Sequence, residues 1–475
     1  MEKRSFAKNY FFELLSQLAV LALPLVTTPY LSRVLGAKAI GRYSFAGSIV
    51  SYFALLAALG TTLYGQRLIA RVHNSPKVRT HFFVEVALLR AITVAIVFGA
   101  YFLLVLPHAA NPLLYAAAGI EIIAVALDIS WFYRGMENFG PVTLTTAVGR
   151  LAAAVCVFTL VKTREDLVLY VVIYGASILL GDLLLWLDLR KYLVRVRRWR
   201  PKLGGHFLLS LGLFVSGLSI HVYTVLDKTM IGLITRRAAQ NGYYEQGQKL
   251  IRVLVTLVTV MGAVAASRAA VLWKEKKTDE LRDLLMGSFR LCFALGLPLA
   301  AGIALVASRF TPIFYGAGYR PVAAILCVLA PIIPLVGASN VIGIQFFAAT
   351  GREKRLTISV AIGALCNILL NLWLIFRYAA LGAAIASVAA ELIVTLTQCV
   401  MARRELPLFR VFLLFCRYLG FTAIMAAVGL VLSLTLGKGP AALAVIVVAC
   451  AALYAALLLA FRDPVRSIFT AKGAR

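Results

Sequence analysis

The chain has little of what a soluble protein needs. Of its 475 residues 14% are charged and 61% are hydrophobic, with a mean hydropathy of +0.90. A soluble domain of this length carries far more polar surface. Acidic residues are scarcest, 20 against 48 Lys and Arg, which leaves a formal net charge of +28. In a soluble chain that surplus would point to nucleic acid. Here it points to cytoplasmic loops, where positive charge accumulates beside membrane spans, and no nucleic-acid partner is expected. The signatures of common enzymes are missing too. There is no G-x-x-x-x-G-K-[ST] phosphate loop, H-E-x-x-H, paired Cys-x-x-C or nucleophile elbow, so an ATP-driven pump would need a separate subunit. The seven cysteines (Cys156, Cys292, Cys327, Cys366, Cys399, Cys416, Cys450) are scattered through apolar segments without metal spacing and read as core filler. The five histidines (His73, His81, His108, His206, His221) fall mostly at loops or span ends. A membrane glycosyltransferase or polymerase would use a sizeable extramembrane loop carrying acids, and no connection here exceeds about twenty residues. A non-enzyme without cofactor or metal is expected.

What the chain does have is apolar runs of roughly 20 residues from end to end, each long enough to cross a hydrocarbon core about 30 Å thick. The pattern predicts an all-α polytopic membrane protein of about fourteen transmembrane helices. Six fall near 10–32, 40–63, 81–106, 112–133, 141–161 and 167–188, and six near 207–234, 243–270, 286–308, 321–346, 356–377 and 380–401; two more fall near 411–436 and 440–461. The basic start reads as a retained first span, because its apolar stretch is too long for a signal peptide and no A-x-A-type site ends it. With the N-terminus in the cytoplasm, the inside segments ("RLIARVHNSPKVR", "LRKYLVRVRRWRPK", "WKEKKTDELRD", "GREKR", "MARREL" and the tails) hold about 30 of the 48 Lys and Arg. Both termini are therefore expected in the cytoplasm, which requires an even number of spans.

The sequence also repeats. A shift of 201 positions lays "GRYSFAGSIVSYFALLAALGTTLYGQRLIA" (41–70) on "GYYEQGQKLIRVLVTLVTVMGAVAASRAAV" (242–271), pairing Gly41 with Gly242, Tyr43 with Tyr244 and Arg67 with Arg268. Arg90 and Arg290 follow 200 apart, and "FYRGMENFGPVT" meets "FAATGREKRLT" with Gly135 on Gly351 and Glu137 on Glu353. Two six-helix lobes of the same orientation result, 1–188 and 207–404, joined by a basic cytoplasmic linker at 189–206, with spans 13 and 14 and a cytoplasmic tail (405–475) appended. Repeats related by an axis along the membrane normal are the plan of transporters that rock one half against the other.

The "LDKTMIG" of span 7 and the "NGYYEQGQKL" that opens span 8 resemble the signature of polysaccharide transporters of the Wzx type, within the multidrug/oligosaccharidyl-lipid/polysaccharide exporter superfamily. The fourteen spans, the duplicated lobes and the "GREKR" after span 10 agree, so the resemblance covers nearly the whole chain. It implies a V-shaped pair of lobes around a central cavity. It also implies movement of an undecaprenyl-pyrophosphate-linked oligosaccharide from the inner to the outer leaflet of a bacterial cytoplasmic membrane, with membrane lipids and other polysaccharide assembly proteins as partners. Relatives include lipid II flippases and, more distantly, drug exporters. From a different class, a scaffold of a surface-polymer assembly complex would need no charge in a cavity.

Ionisable residues inside spans cost at least about 2.5–3.5 kcal/mol each at the centre of an isolated helix, so their positions are informative. Arg67, Arg90, Arg268 and Arg290 lie toward the cytoplasmic ends of spans 2, 3, 8 and 9, the depth at which a diphosphate made in the cytoplasm would enter, and guanidinium matches phosphate oxygens with a planar fork. Snorkelling to headgroups is the competing reading. Arg150, deeper in span 5, needs water, substrate, or an acid such as Asp128 or Asp182. Asp182 and Glu391 read as counterions between lobes, with a coupling proton or cation as the alternative; the energy source would be a proton or sodium gradient. In span 7, Asp227 and Lys228 are adjacent and do not face each other. Glu245, Lys249 and Arg252 share a face of span 8, and Asp227 opposite Lys249 or Arg252 would make an outer gate or an ion sensor. Cations would call for acids and aromatics in the cavity, whereas the duplicated positions are arginines, so an anionic substrate is expected. Pro24, Pro29, Pro331 and Pro334 lie within spans 1 and 10 and permit bending.

Overall fold

Each predicted span is a helix in the computed structural model, which describes residues 3–195, 201–260, 262–461 and 463; linker residues 196–200 and the tail beyond 463 lie outside it. Among the described residues there is no strand. Among the described residues ten helices are long and apolar enough to cross a bilayer, and a bent pair makes an eleventh. Two of these are double spans. Lys3–Ala58 is interrupted by non-helical backbone at Gly36, and Glu353–Ala402 by Ala379 (φ 51°, ψ −126°). At the second, a Cβ on Gly382 would lie 2.0 Å from the Leu374 carbonyl oxygen; eight residues of straight helix span about 12 Å, so the chain doubles back there. Leu203–Thr235 supplies the remaining span.

The repeat seen in the sequence is repeated in the backbone. Gly36 (φ 77°) and Arg236 (φ 52°), 200 positions apart, both take left-handed backbone between consecutive spans. Span 2 is broken at Leu59 and Gly60 (φ 43° and 72°), and resumes as Thr61–Val72; span 8 resumes as Gly262–Lys274, 201 positions later. One part of the expected register moves. The left-handed residue before the next span is Glu137 (φ 56°) in the first half and Gly351 (φ 76°) in the second, so the turn aligns Glu137 with Gly351, two positions from the pairing of Gly135 with Gly351. The glycine shared by the two strings had set the alignment, whereas the turn is set by the residue that reverses the chain.

By packing, the chain divides after Gly232 into two units; Arg237–Gly242 belongs with the first and Leu233–Arg236 with the second. The first unit's core lies where spans 2, 3, 4 and 6 meet. Phe83 stacks on Trp131 with ring centroids 5.6 Å apart, beside buried Ile69, Phe132, Tyr133 and Leu185. Gly65 lets span 2 close on this cluster, since a Cβ there would come within 2.4 Å of the Trp131 ring. Buried Arg79 ties the connection to span 3 by donating to the carbonyls of His73 and Tyr192.

In the second unit, span 10 is bent by 41° between Ala317–Leu329 and Ile332–Ala348, where Pro331 interrupts the backbone ladder, and its last eight residues are a π-helix (Val341–Ala348). Proline and π segments are both recognised causes of departure from a straight helix. The "GREKR" segment after it is a clasp. Arg352 and Arg355 both reach Glu405 at the end of span 12, and Arg352 also lies over the rings of Trp273 and Phe346, 5.0 and 5.1 Å from their centroids.

Candidate functional site

Span 4 is a row of short helices (Pro112–Ala118, Ile120–Leu127, Ser130–Gly135) whose main break falls at Asp128. A break inside a span frees backbone groups that lipid cannot satisfy, and three side chains repair it. Arg90, 2% exposed, donates from one guanidinium nitrogen to the Asp128 carbonyl (3.0 Å) and from the other to the Asp128 carboxylate (2.9 Å) and Thr62 (3.3 Å). The carboxylate also accepts from the Ser130 N–H (2.9 Å), and Trp186 donates to the Leu127 carbonyl (2.7 Å). Asp182 of span 6 is half-buried and within electrostatic reach of both Arg90 and Asp128.

This arrangement changes the expected roles. Arg90, expected to face a cavity, is buried with both terminal guanidinium nitrogens on protein acceptors. Asp128, one of two acids considered for Arg150, belongs to Arg90. The matched residue Arg290 is in a different setting: half-buried, with its charge felt by Tyr418 of span 13. The remaining pair, Arg67 and Arg268, is exposed on the short helices that follow the span 2 and span 8 breaks, and Arg268 is 4.0 Å from Glu280, itself exposed.

Arg150 has aromatic neighbours. Its guanidinium lies 4.8 Å from the centroid of the Tyr174 ring, and Tyr43 meets Tyr170 and Tyr174 edge-on at 5.3 and 6.3 Å. Glu121 of span 4 is half-buried and within electrostatic reach of Arg150. None of these tyrosines, nor Glu121, was evident as a site residue, although Tyr170 and Tyr174 at i, i+4 on an apolar span were a readable signal.

Asp227 is 4% exposed on Leu203–Thr235, and its charge is felt by Tyr52 of span 2. One turn of contacts joins the same two helices: Tyr52 bonds Thr229 (3.2 Å), which bonds Ser48 (3.0 Å). Lys228, Lys249, Glu245 and Glu391 are half-buried and Arg252 is exposed. A second polar chain went unforeseen. His206, at the head of span 7, takes Tyr64 on Nδ1 (2.6 Å) and the Glu85 carboxylate on Nε2 (2.8 Å), while Glu85 also accepts the Lys202 N–H (2.9 Å). The only sequence hint was a glutamate inside span 3.

In the second unit an apolar groove of about 800 Å³ runs between spans 8, 9, 13 and 14, lined among others by Leu254, Leu299, Gly302, Met425 and Ala451.

Fold and charge placement together define a polytopic transporter built on a duplicated helical plan. The chain belongs to the polysaccharide biosynthesis protein family, whose sequence model matches residues 6–267, and the lipid II flippase MurJ family model matches residues 189–448. It is 24% identical over 426 residues to a protein of Escherichia coli (strain K12) described as "Putative O-antigen transporter", covering 85% of this chain and 98% of that one. A Shigella dysenteriae protein of the same description is 20% identical over 383 residues, covering 78% of this chain and 94% of the other. Among solved structures, the lipid II flippase MurJ in an inward closed conformation superposes with a TM-score of 0.78 at 14% identity, covering 97% of this chain and all (100%) of that one. An inward-facing multidrug resistance MATE family transporter gives 0.58 at 13% identity, covering 83% and 98%. Both solved structures share the fold of this chain.

Proposed function

We propose that this protein moves an undecaprenyl-pyrophosphate-linked oligosaccharide from the inner to the outer leaflet of the bacterial cytoplasmic membrane by alternating access, for surface polysaccharide assembly. The observation that carries the reading is the match over 85% of the chain to the Escherichia coli protein described as "Putative O-antigen transporter", together with the family to which the chain belongs. Three features of the molecule suit such a cargo. Arg67 and Arg268 stand exposed at matched breaks in spans 2 and 8, at the depth where a diphosphate made in the cytoplasm would enter. The apolar groove against spans 13 and 14 offers a polyprenyl chain an almost wholly apolar surface. Asp227, in its buried setting beside Tyr52 within the first unit, acts as the outer gate or ion sensor, and a proton or sodium gradient drives the cycle.

The test is leaflet sidedness. Fluorescent polyprenyl-diphosphate sugar is reconstituted in proteoliposomes and quenched from outside, with and without an imposed ion gradient. Protein-dependent exchange, lost in Arg67→Ala with Arg268→Ala, supports the reading; a wild-type rate equal to that of empty liposomes overturns it. The MurJ family match over 189–448 favours one second reading, a lipid II flippase. Lipid II in the same assay separates the two: faster movement of lipid II than of the glycan carrier would select it.

A further inference from the structure

The aromatic cluster around Arg150 has no part in gating or in holding a diphosphate as described above, and its chemistry is specific. Tyr170 and Tyr174 are one turn apart on span 6, and the exposed side chains of that helix, Leu169, Val172, Leu180, Leu183 and Leu187, fall on its other side at 100° per residue. On span 5 the exposed Leu144, Val148, Leu151 and Val155 likewise leave Arg150 on a different face. The polar groups therefore turn away from lipid, into the interior of the first unit, where they remain half-exposed. Half-exposed phenols and a guanidinium at this depth are costly against hydrocarbon and acceptable against water or a polar cargo.

What they would recognise follows from charge and shape. A single guanidinium laid against the Tyr174 ring is a small positive charge to set against a diphosphate. Its N–H groups and the tyrosine hydroxyls offer donors and acceptors side by side, the complement of vicinal hydroxyls. The three rings add apolar faces with polar rims, suited to the C–H face and hydroxyl edge of a pyranose; pockets that fix orientation combine apolar walls with few polar groups in this manner. We propose that Tyr43, Tyr170 and Tyr174, with Arg150, form a subsite for a sugar ring of the lipid-linked cargo, separate from the groups that hold its diphosphate. The assignment rests on the flippase reading and adds the part of the cargo that this lobe reads.

The experiment uses two carriers in the proteoliposome assay: lipid-linked oligosaccharide extracted from producing cells, and undecaprenyl diphosphate without sugar. Tyr170→Leu and Tyr174→Leu should each lower transport of the glycan carrier at least tenfold and leave the bare carrier within twofold of wild type. Tyr174→Phe, which keeps the ring, should retain most glycan transport. Equal loss for both carriers, or wild-type glycan transport in the Leu variants, overturns the subsite. If wild type moves neither carrier, the flippase reading fails. Saturation-transfer NMR of the oligosaccharide released by mild acid, with protein in nanodiscs, then decides the subsite alone. Ring-proton signals seen with wild type and absent in the Tyr170→Leu, Tyr174→Leu double variant support it; unchanged signals, or none with wild type, sink it.

Discussion

At the scale of single residues, Arg90 shows how a buried charge is accommodated. Its guanidinium satisfies both a carboxylate and the carbonyl at a helix break, so Arg90→Met removes two kinds of contact and leaves Asp128 without its cation. Removing one partner of a buried pair costs about 3–5 kcal/mol. Arg90→Met should therefore destabilise by roughly that amount in detergent, read by thermal unfolding, whereas Arg90→Met with Asp128→Leu should recover part of the loss. An unchanged unfolding temperature in the single variant would mean the contact is not made. Asp227 gives a second prediction: Asp227→Asn, which keeps shape and removes charge, should lower transport at least tenfold at normal abundance, and unchanged transport removes any gate at that position. The sequence revealed which residues were costly, because charge within an apolar run is visible. It did not reveal partners. Asp128 could have served Arg150 as well as Arg90, and only the break at Asp128, which exposes a carbonyl to Arg90, decides between them.

At the scale of elements, hydropathy located every span, because crossing a bilayer imposes a length that composition displays directly. The bend in span 10 was legible from Pro331. The break in span 2 was not, since it carries no proline and depends on tertiary contact. Gly60 has left-handed backbone, and a Cβ there would lie 2.4 Å from the Ser210 carbonyl oxygen and 2.7 Å from the Phe214 nitrogen of span 7. Gly36 also has positive φ (77°), but its ψ of 167° lies in a region essentially confined to glycine, and nothing lies within 4 Å of a Cβ there. Gly36→Ala should thus cost about 1–3 kcal/mol from backbone strain alone. Gly60→Ala, at a ψ of 1° where a side chain is less strained, should still cost about 3 kcal/mol or more, because rigid backbone of another helix must shift. A loss of only about 1 kcal/mol in Gly60→Ala, measured by thermal unfolding, would be backbone strain alone and would show that span 7 does not press on the break. The same contact explains the polar chain one turn away: with span 7 docked at Gly60, His206 falls between Tyr64 and Glu85, a juxtaposition that linear spacing could not disclose.

At the scale of the whole molecule, spans 13 and 14 are an appendage by sequence, since they lie outside the repeat. Their packing gives them more. Span 13 is seated against spans 9 and 14, where Gly429 meets Leu305 of the first and Cys450 of the second, and Arg309 of span 9 donates to the carbonyls of Ser433, Leu436 and Gly437 at the far end of span 13. The two added helices thereby wall a groove whose other side is the duplicated core. Such a surface could be lined with any aliphatic residue and still read as a span, which is why hydropathy gave no sign of it. Its function can be separated from that of the charged groups by carrier length. Ala451→Trp fills groove volume without replacing a charged residue. If the groove holds the polyprenyl tail, this variant should slow a full-length undecaprenyl carrier at least fivefold while a carrier of two or three isoprene units, too short to occupy the groove, moves at the wild-type rate. Equal slowing of both would assign the groove to structure, filled by ordinary lipid, and leave cargo recognition to the head group alone.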